Sequence, residues 1–238
     1  MRKDKPIIVA LDVFTRKGAQ SLVERLVEYV SIFKIGHQLF LGEGMDIIHM
    51  IQDKGAEVFL DLKFHDIPSV ISSAVEVAFK EKIYMLTMHS LGGRIMLEQA
   101  VKKVKTLSKE GMGRKPLLLG VTILTSLDEE KLKEMGFSLP IKEQVLKLAK
   151  ISEQSGLDGI VCSGEEISLV RDKAKKDFVI VTPGVRLERI SSDDQSRIIT
   201  VEDAIKRGAD YLVMGRSITE SKEPEKKMEL ILEKLNKL

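Results

Sequence analysis

Residues 57–69 read EVFLDLKFHDIPS, Glu57 to Ser69. The apolar run Val58-Phe59-Leu60 has the composition of a strand bound for a core, yet it passes directly into Asp61, Lys63 and Asp66. A strand that feeds a barrel interior should not end in so much charge unless something there uses it. In an extended chain side chains alternate, so Asp61 and Lys63 are expected on one face. The fold then turns on whether other strands end in the same manner.

They do. Apolar, β-branched runs are expected as strands near Ile7–Val13, Ile32–Ile35, Glu57–Leu62, Met85–His89, Leu117–Leu124, Gly159–Cys162, Val179–Thr182 and Tyr211–Met214. Between them apolar residues recur at helical spacing, as in Leu22, Leu26 and Tyr29, or Val145, Leu148 and Ala149. A last amphipathic segment, Met228 to Leu235, closes the chain, and Gly111 to Pro116 reads as a turn before the fifth strand. Strand and helix alternating eight times in 238 residues is the arithmetic of a (β/α)₈ TIM barrel, α/β in class and a single domain over residues 1–238. A doubly wound open sheet is the competitor, but no glycine-rich dinucleotide fingerprint follows the first strand.

Composition narrows the function. Lys and Arg number 38 against 36 Asp and Glu, a net charge of +2, which gives no support for nucleic-acid or anionic-membrane binding. There is no Trp, and three Tyr and eight Phe offer little for base stacking. The one cysteine, Cys162, allows no internal disulfide and fits a reducing cytoplasm. Asp12 interrupts the first apolar run too early for a signal peptide, and no stretch is long enough to span a bilayer.

In a barrel of this type the active site lies at the C-terminal ends of the strands. Those ends carry Asp12, Lys34, the Asp61/Lys63 pair, His89, Thr125, Pro183 to Arg186, and Gly215-Arg216. Lys34 can reach Asp61 from the neighbouring strand, which yields the alternating row Lys34, Asp61, Lys63, Asp66. Four charges that cancel make a half-buried array tolerable, and carboxylates hold each lysine cationic. A network that merely closes the barrel mouth is the competing reading of the same pair. Gly215 would let backbone N–H groups approach an anion while Arg216 offers a bidentate fork. The long polar stretch Pro183 to Thr200 could fold over that anion as a lid, with Arg186 and Gln195 reaching it.

These segments together resemble the orotidine 5′-phosphate decarboxylase family. The motifs that carry the resemblance are Lys34-Ile35-Gly36, Asp61 to Pro68 (DLKFHDIP), Thr87-Met88-His89 with Gly92-Gly93, and Val121 to Ser126 (VTILTS). They continue in Pro183-Gly184-Val185-Arg186 with Asp194-Gln195, and in Gly215-Arg216. The resemblance implies a cofactor-free, metal-free decarboxylation of orotidine 5′-monophosphate to UMP. It implies Lys63 as proton donor to C6, Asp61 against the departing carboxylate, and Lys34 holding Asp61 and touching the ribose. Asp12 would bond a ribose hydroxyl and Thr125 the base. Arg186, Gln195, Gly215 and Arg216 would grip the phosphate, with Ile67, Ser69 and Pro183 among the substrate-binding positions. Asp66 would reach the active site of a second subunit, so the resemblance also implies a homodimer. The family commonly carries threonine where this chain has Val70, so one ribose bond is expected to be missing or supplied by Ser69.

Alternatives remain at this level. A metal-dependent lyase acting on a sugar phosphate shares the D-x-K-x-x-D pattern, although an ammonium between Asp61 and Asp66 competes with a cation. A non-catalytic nucleotide-binding barrel is the other. His65 and His89 read as packing or orienting residues, His37 and His49 have no metal-ligand spacing, and Cys162 is expected to be inert.

Overall fold

The computed structural model describes residues 6–187 and 199–238. Ten strands occur among these residues: β1 (Ile7–Ala10), β2 (Ile32–Ile35), β3 (Glu57–Phe64), β4 (Met85–His89), β5 (Leu117–Val121), β6 (Gly159–Val161), β7 (Val179–Thr182), β8 (Val185–Arg186), β9 (Ile199–Thr200) and β10 (Tyr211–Met214). Eight of them, β1 to β7 and β10, close a parallel barrel in sequence order, with β10 returning to β1. The (β/α)₈ expectation holds, and all eight expected strands are present. Their ends differ. β1 and β5 stop at Ala10 and Val121, because the apolar residues beyond, such as Leu11 and Ile123, bury their side chains after strand pairing has ended. β3 runs two residues past its expected end, to Phe64.

The strands are buried on both faces, which is why they read as continuous apolar runs rather than alternating ones. Ile8, Ala10, Ile32, Phe59, Met85 and Leu119 fill the barrel interior. Residues of opposite parity, such as Ile7, Val9, Phe33 and Val58, pack against the surrounding helices. Each fully buried side chain of this size contributes about 1.5–3 kcal/mol. Gly159 opens β6 because a Cβ there would stand 2.2 Å from the Val179 carbonyl oxygen.

The helices follow local rules. Arg16–Leu26 starts at Thr15, whose hydroxyl accepts from the Gly18 N–H, and buries Ala19, Leu22, Val23 and Leu26 on one stripe. Pro68 occupies the first turn of Pro68–Lys80, where its missing N–H costs nothing. The last helix, Pro224–Leu235, begins a turn earlier than its apolar pattern suggests. It is tied to the first helix by Arg25 to Glu225 and to the turn that follows that helix by Tyr29 to Glu229. Gly111 to Pro116 forms the expected non-helical connection into β5. Among the described residues no helix is long and apolar enough to cross a membrane.

Candidate active site

The interior alternation carries charge to the mouth. Ile32 and Lys34 on β2, and Phe59 and Asp61 on β3, are each two residues apart, so the layer above the apolar floor is ionic. Lys34 Nζ lies 3.2 Å from Asp12 Oδ1 and 3.8 Å from Asp61 Oδ2. Lys63 Nζ lies 3.0 Å from both carboxylate oxygens of Asp61. The row is therefore Asp12, Lys34, Asp61, Lys63, alternating in sign and summing to zero. Lys34 is buried and the Asp61 side chain is 14% exposed, while Lys63 keeps part of its side chain at the opening. Gly36 leaves room for the lysine, since a Cβ there would come within 3.2 Å of its Nζ.

This row differs from the expected one at both ends. Asp12 joins it, and Asp66 does not. Asp66 is exposed, and its Oδ1 accepts from the Ile67 N–H at 2.6 Å, capping the turn into Pro68–Lys80. Asp61 and Lys63 meet by a different route from simple alternation. β3 pairs Leu60 with Leu86 and then Phe64 with Met88, so the strand bulges between them. Lys63 takes φ +47° in that bulge.

A cavity of about 240 Å³ opens beside the row. Its inner surface is apolar, from Ala10, Phe59, Val121, Val161 and Val213. Thr125, Pro183, Arg186, Gly215 and Arg216 complete its lining, so a flat apolar ligand would have ammonium and carboxylate groups within reach as well as guanidinium groups. Ile67 and Ser69 do not line it; both are exposed on the outer rim, as is Val70. Arg186 is buried, and its Nη1 donates to the Val185 carbonyl at 3.1 Å. β8 and β9, paired Val185 with Ile199 and Arg186 with Thr200, form the base of the expected lid. Gly164 packs against that base, for a Cβ there would meet Ile199 at 2.6 Å. Asp194 and Gln195 lie outside the described residues.

Two participants escaped the sequence reading. Thr87, fully buried on β4, bonds both Asp61 and the Lys63 backbone. Its signals were a hydroxyl within the apolar run Met85 to Met88 and its place in the motif Thr87-Met88-His89, to which no role was attached. His37 bonds the Leu62 carbonyl at 3.0 Å.

The remaining polar groups play lesser parts. His89 accepts from the Leu91 N–H through Nδ1 at 3.3 Å, which leaves the proton on Nε2, and its ring stacks on His65 with centroids 5.5 Å apart. Burial lowers its pKa to about 4, helped by the nearby His65 and Lys63 charges. The folded protein thus holds a neutral imidazole where an unfolded chain would take up a proton below about pH 6.5. Stability should fall as pH drops from about 6.5 towards about 4. Thermal melts of His89→Gln should show a flatter decline in that window; parallel curves would remove His89 as the cause. Cys162 sits just past β6, buried, where desolvation pushes its thiol pKa upward and keeps it protonated.

Comparison with known proteins bears on the whole chain. Residues 5–231 match the model of the orotidine 5′-phosphate decarboxylase / HUMPS family. A protein of Syntrophotalea carbinolica named orotidine 5′-phosphate decarboxylase is 45% identical over 231 residues, 97% of this chain and 95% of that one. Its namesake in Dictyoglomus turgidum is 44% identical over 94% of this chain and 92% of its own. The crystal structure of orotidine 5′-phosphate decarboxylase from Lactobacillus acidophilus superposes with a TM-score of 0.86 at 34% identity, covering 98% of this chain and 100% of that one. A match running almost from end to end of the barrel, with relatives this similar over nearly their full lengths, makes the chain a member of the orotidine 5′-phosphate decarboxylase / HUMPS family.

Proposed function

We propose that this chain decarboxylates orotidine 5′-monophosphate to UMP and CO₂ in pyrimidine biosynthesis, as a cytoplasmic homodimer of one catalytic domain. The observation that carries the reading is the Asp12–Lys34–Asp61–Lys63 row beside a cavity that Arg186 and Arg216 also line, in a chain of this family. The pyrimidine lies on the apolar inner surface, with Thr125 at its edge. The phosphate takes Arg186, Arg216 and the Gly215 backbone, a grip that Gln195 completes, while Pro183 borders it. Lys34 and Asp12 meet the ribose.

The chemistry follows from charge. The bond from C6 to the carboxylate breaks, CO₂ leaves, and the electron pair stays on C6. Lys63 Nζ delivers a proton to that carbon and regains one from solvent. Asp61 stands against the substrate carboxylate, an unfavourable contact that disappears with CO₂. Binding energy from the distant phosphate offsets that repulsion. The electrons are accepted by a proton, so no step calls on a cofactor.

Asp66 acts in the second subunit. Its exposure in one protomer supports this, as does the apolar surface around it. Ile67 (62% exposed), Val70 (46%) and Ile95 (68%) stand at the leading ends of two helices packed side by side. Exposed apolar side chains gathered on neighbouring helix ends suit an interface. Ile67 and Ser69 would reach substrate from this rim. Val70 lacks the hydroxyl that the family resemblance leads one to expect here. Val70→Thr should lower KM by roughly two- to tenfold, the worth of one net hydrogen bond; an unchanged or higher KM would contradict the placement.

The direct test is ultraviolet absorbance on mixing the protein with orotidine 5′-monophosphate. Loss of the orotidylate signal with equimolar CO₂ is expected, and a stable signal would defeat the proposal.

A further inference from the structure

The decarboxylation gives no part to a buried group that touches two members of the row: the Thr87 hydroxyl. It makes two bonds at once, accepting from the Lys63 backbone N–H at 2.9 Å and donating to Asp61 Oδ1 at 2.9 Å. The directions are forced. An amide N–H can only donate and an ionised carboxylate can only accept, so the single hydroxyl proton points at Asp61. Such a chain polarises each of its members. Thr87 is 0% exposed, which leaves no route for bulk water to take the hydroxyl's place.

The backbone it touches is unusual. Between the paired positions Leu60 and Phe64, β3 spends three residues where β4 spends one, Thr87, between Leu86 and Met88. Lys63 stands in that bulge at φ +47°, the left-handed region that disfavours a residue with a Cβ. Such a conformation persists only where the surroundings over-determine it. Two side chains do so here. Thr87 holds the Lys63 N–H, and His37 Nε2 sits 3.0 Å from the Leu62 carbonyl at the other end of the same peptide. Facing a carbonyl, that ring nitrogen carries its proton.

We infer that Thr87 is a positioning residue for the reaction, with His37 securing the carbonyl end of the same Leu62–Lys63 peptide: one hydroxyl fixes both the backbone that bears Lys63 and the carboxylate that Lys63 faces. Proton donor and repelling carboxylate are thereby locked to one another before substrate arrives. This rests on the decarboxylase reading of the same site.

Thr87→Val keeps the branching and volume and deletes the hydroxyl. Steady-state kinetics with orotidine 5′-monophosphate should show kcat reduced by roughly 10- to 100-fold with KM within about threefold, because the phosphate grip is elsewhere. Thr87→Ser should recover most of the loss. A kcat for Thr87→Val within about twofold of the parent, or equal losses in the serine and valine variants, would overturn the inference. If Thr87→Val does not fold, Thr87→Ala carries the same deletion and is judged the same way. A second readout is independent of turnover: amide hydrogen exchange at Lys63 should be slow in the parent and in Thr87→Ser, and at least roughly tenfold faster without the hydroxyl. Equal exchange rates would overturn the hold on the backbone. A parent protein that exchanges slowly at Lys63 but leaves orotidylate untouched would remove the decarboxylase reading alone.

Discussion

Lys63→Ala should lower kcat by at least roughly 10⁴-fold, because the substitution removes a general acid and the charge that stabilises the developing carbanion together. Affinity for UMP should change little. The two guanidinium groups and the apolar inner surface stay in place, and Lys63 sits at the opening rather than on the floor. The variant should fold. Its left-handed φ of +47° is no better suited to alanine, but an unbalanced buried carboxylate is avoided because Asp61 keeps Lys34 at 3.8 Å and the Thr87 hydroxyl at 2.9 Å. Single-turnover absorbance with calorimetric UMP titration separates the two effects. Near-normal turnover, or UMP affinity lost in step with kcat, would remove Lys63 from the role of proton donor.

Asp61→Asn should act differently. The carboxylate takes Lys63 Nζ on both oxygens at 3.0 Å, so an amide would turn an N–H group towards an ammonium. The row would also gain a net positive charge. Lys63 loses its hold, and kcat should fall by roughly 10²- to 10³-fold. The repulsion against the substrate carboxylate vanishes as well, so KM should stay level or drop. A fall in both constants is the signature of removed ground-state strain. A raised KM with kcat intact would mean that Asp61 binds substrate and does not press on it.

The sequence reveals the barrel clearly because burial on both faces leaves an unbroken apolar signature, as in Ile7–Ala10 and Tyr211–Met214. Strand ends are less visible. Ile123 is as buried as a strand residue but lies in the mouth beyond β5, and composition does not separate the two situations. Lys34, Asp61 and Lys63 were legible because burying charge at the end of an apolar strand is costly unless partners of opposite sign stand beside it. The manner of their meeting was not. A bulge and a positive φ at a lysine leave no trace in residue type, and Thr87 looks like any β-branched strand residue until its partners are seen. Asp66 illustrates a further limit. Spacing puts it three residues from Lys63, yet the turn into Pro68–Lys80 swings it outward, away from the row.

The central claim concerns one ammonium and one carbon. A crystal structure of the protein with UMP bound measures their separation. The account predicts Lys63 Nζ at hydrogen-bonding range, about 3 Å, from C6 of the pyrimidine, with Asp61 still in contact behind it. A ring seated elsewhere in the barrel, or a Lys63 side chain turned out to bulk water with the nucleotide in place, would contradict it.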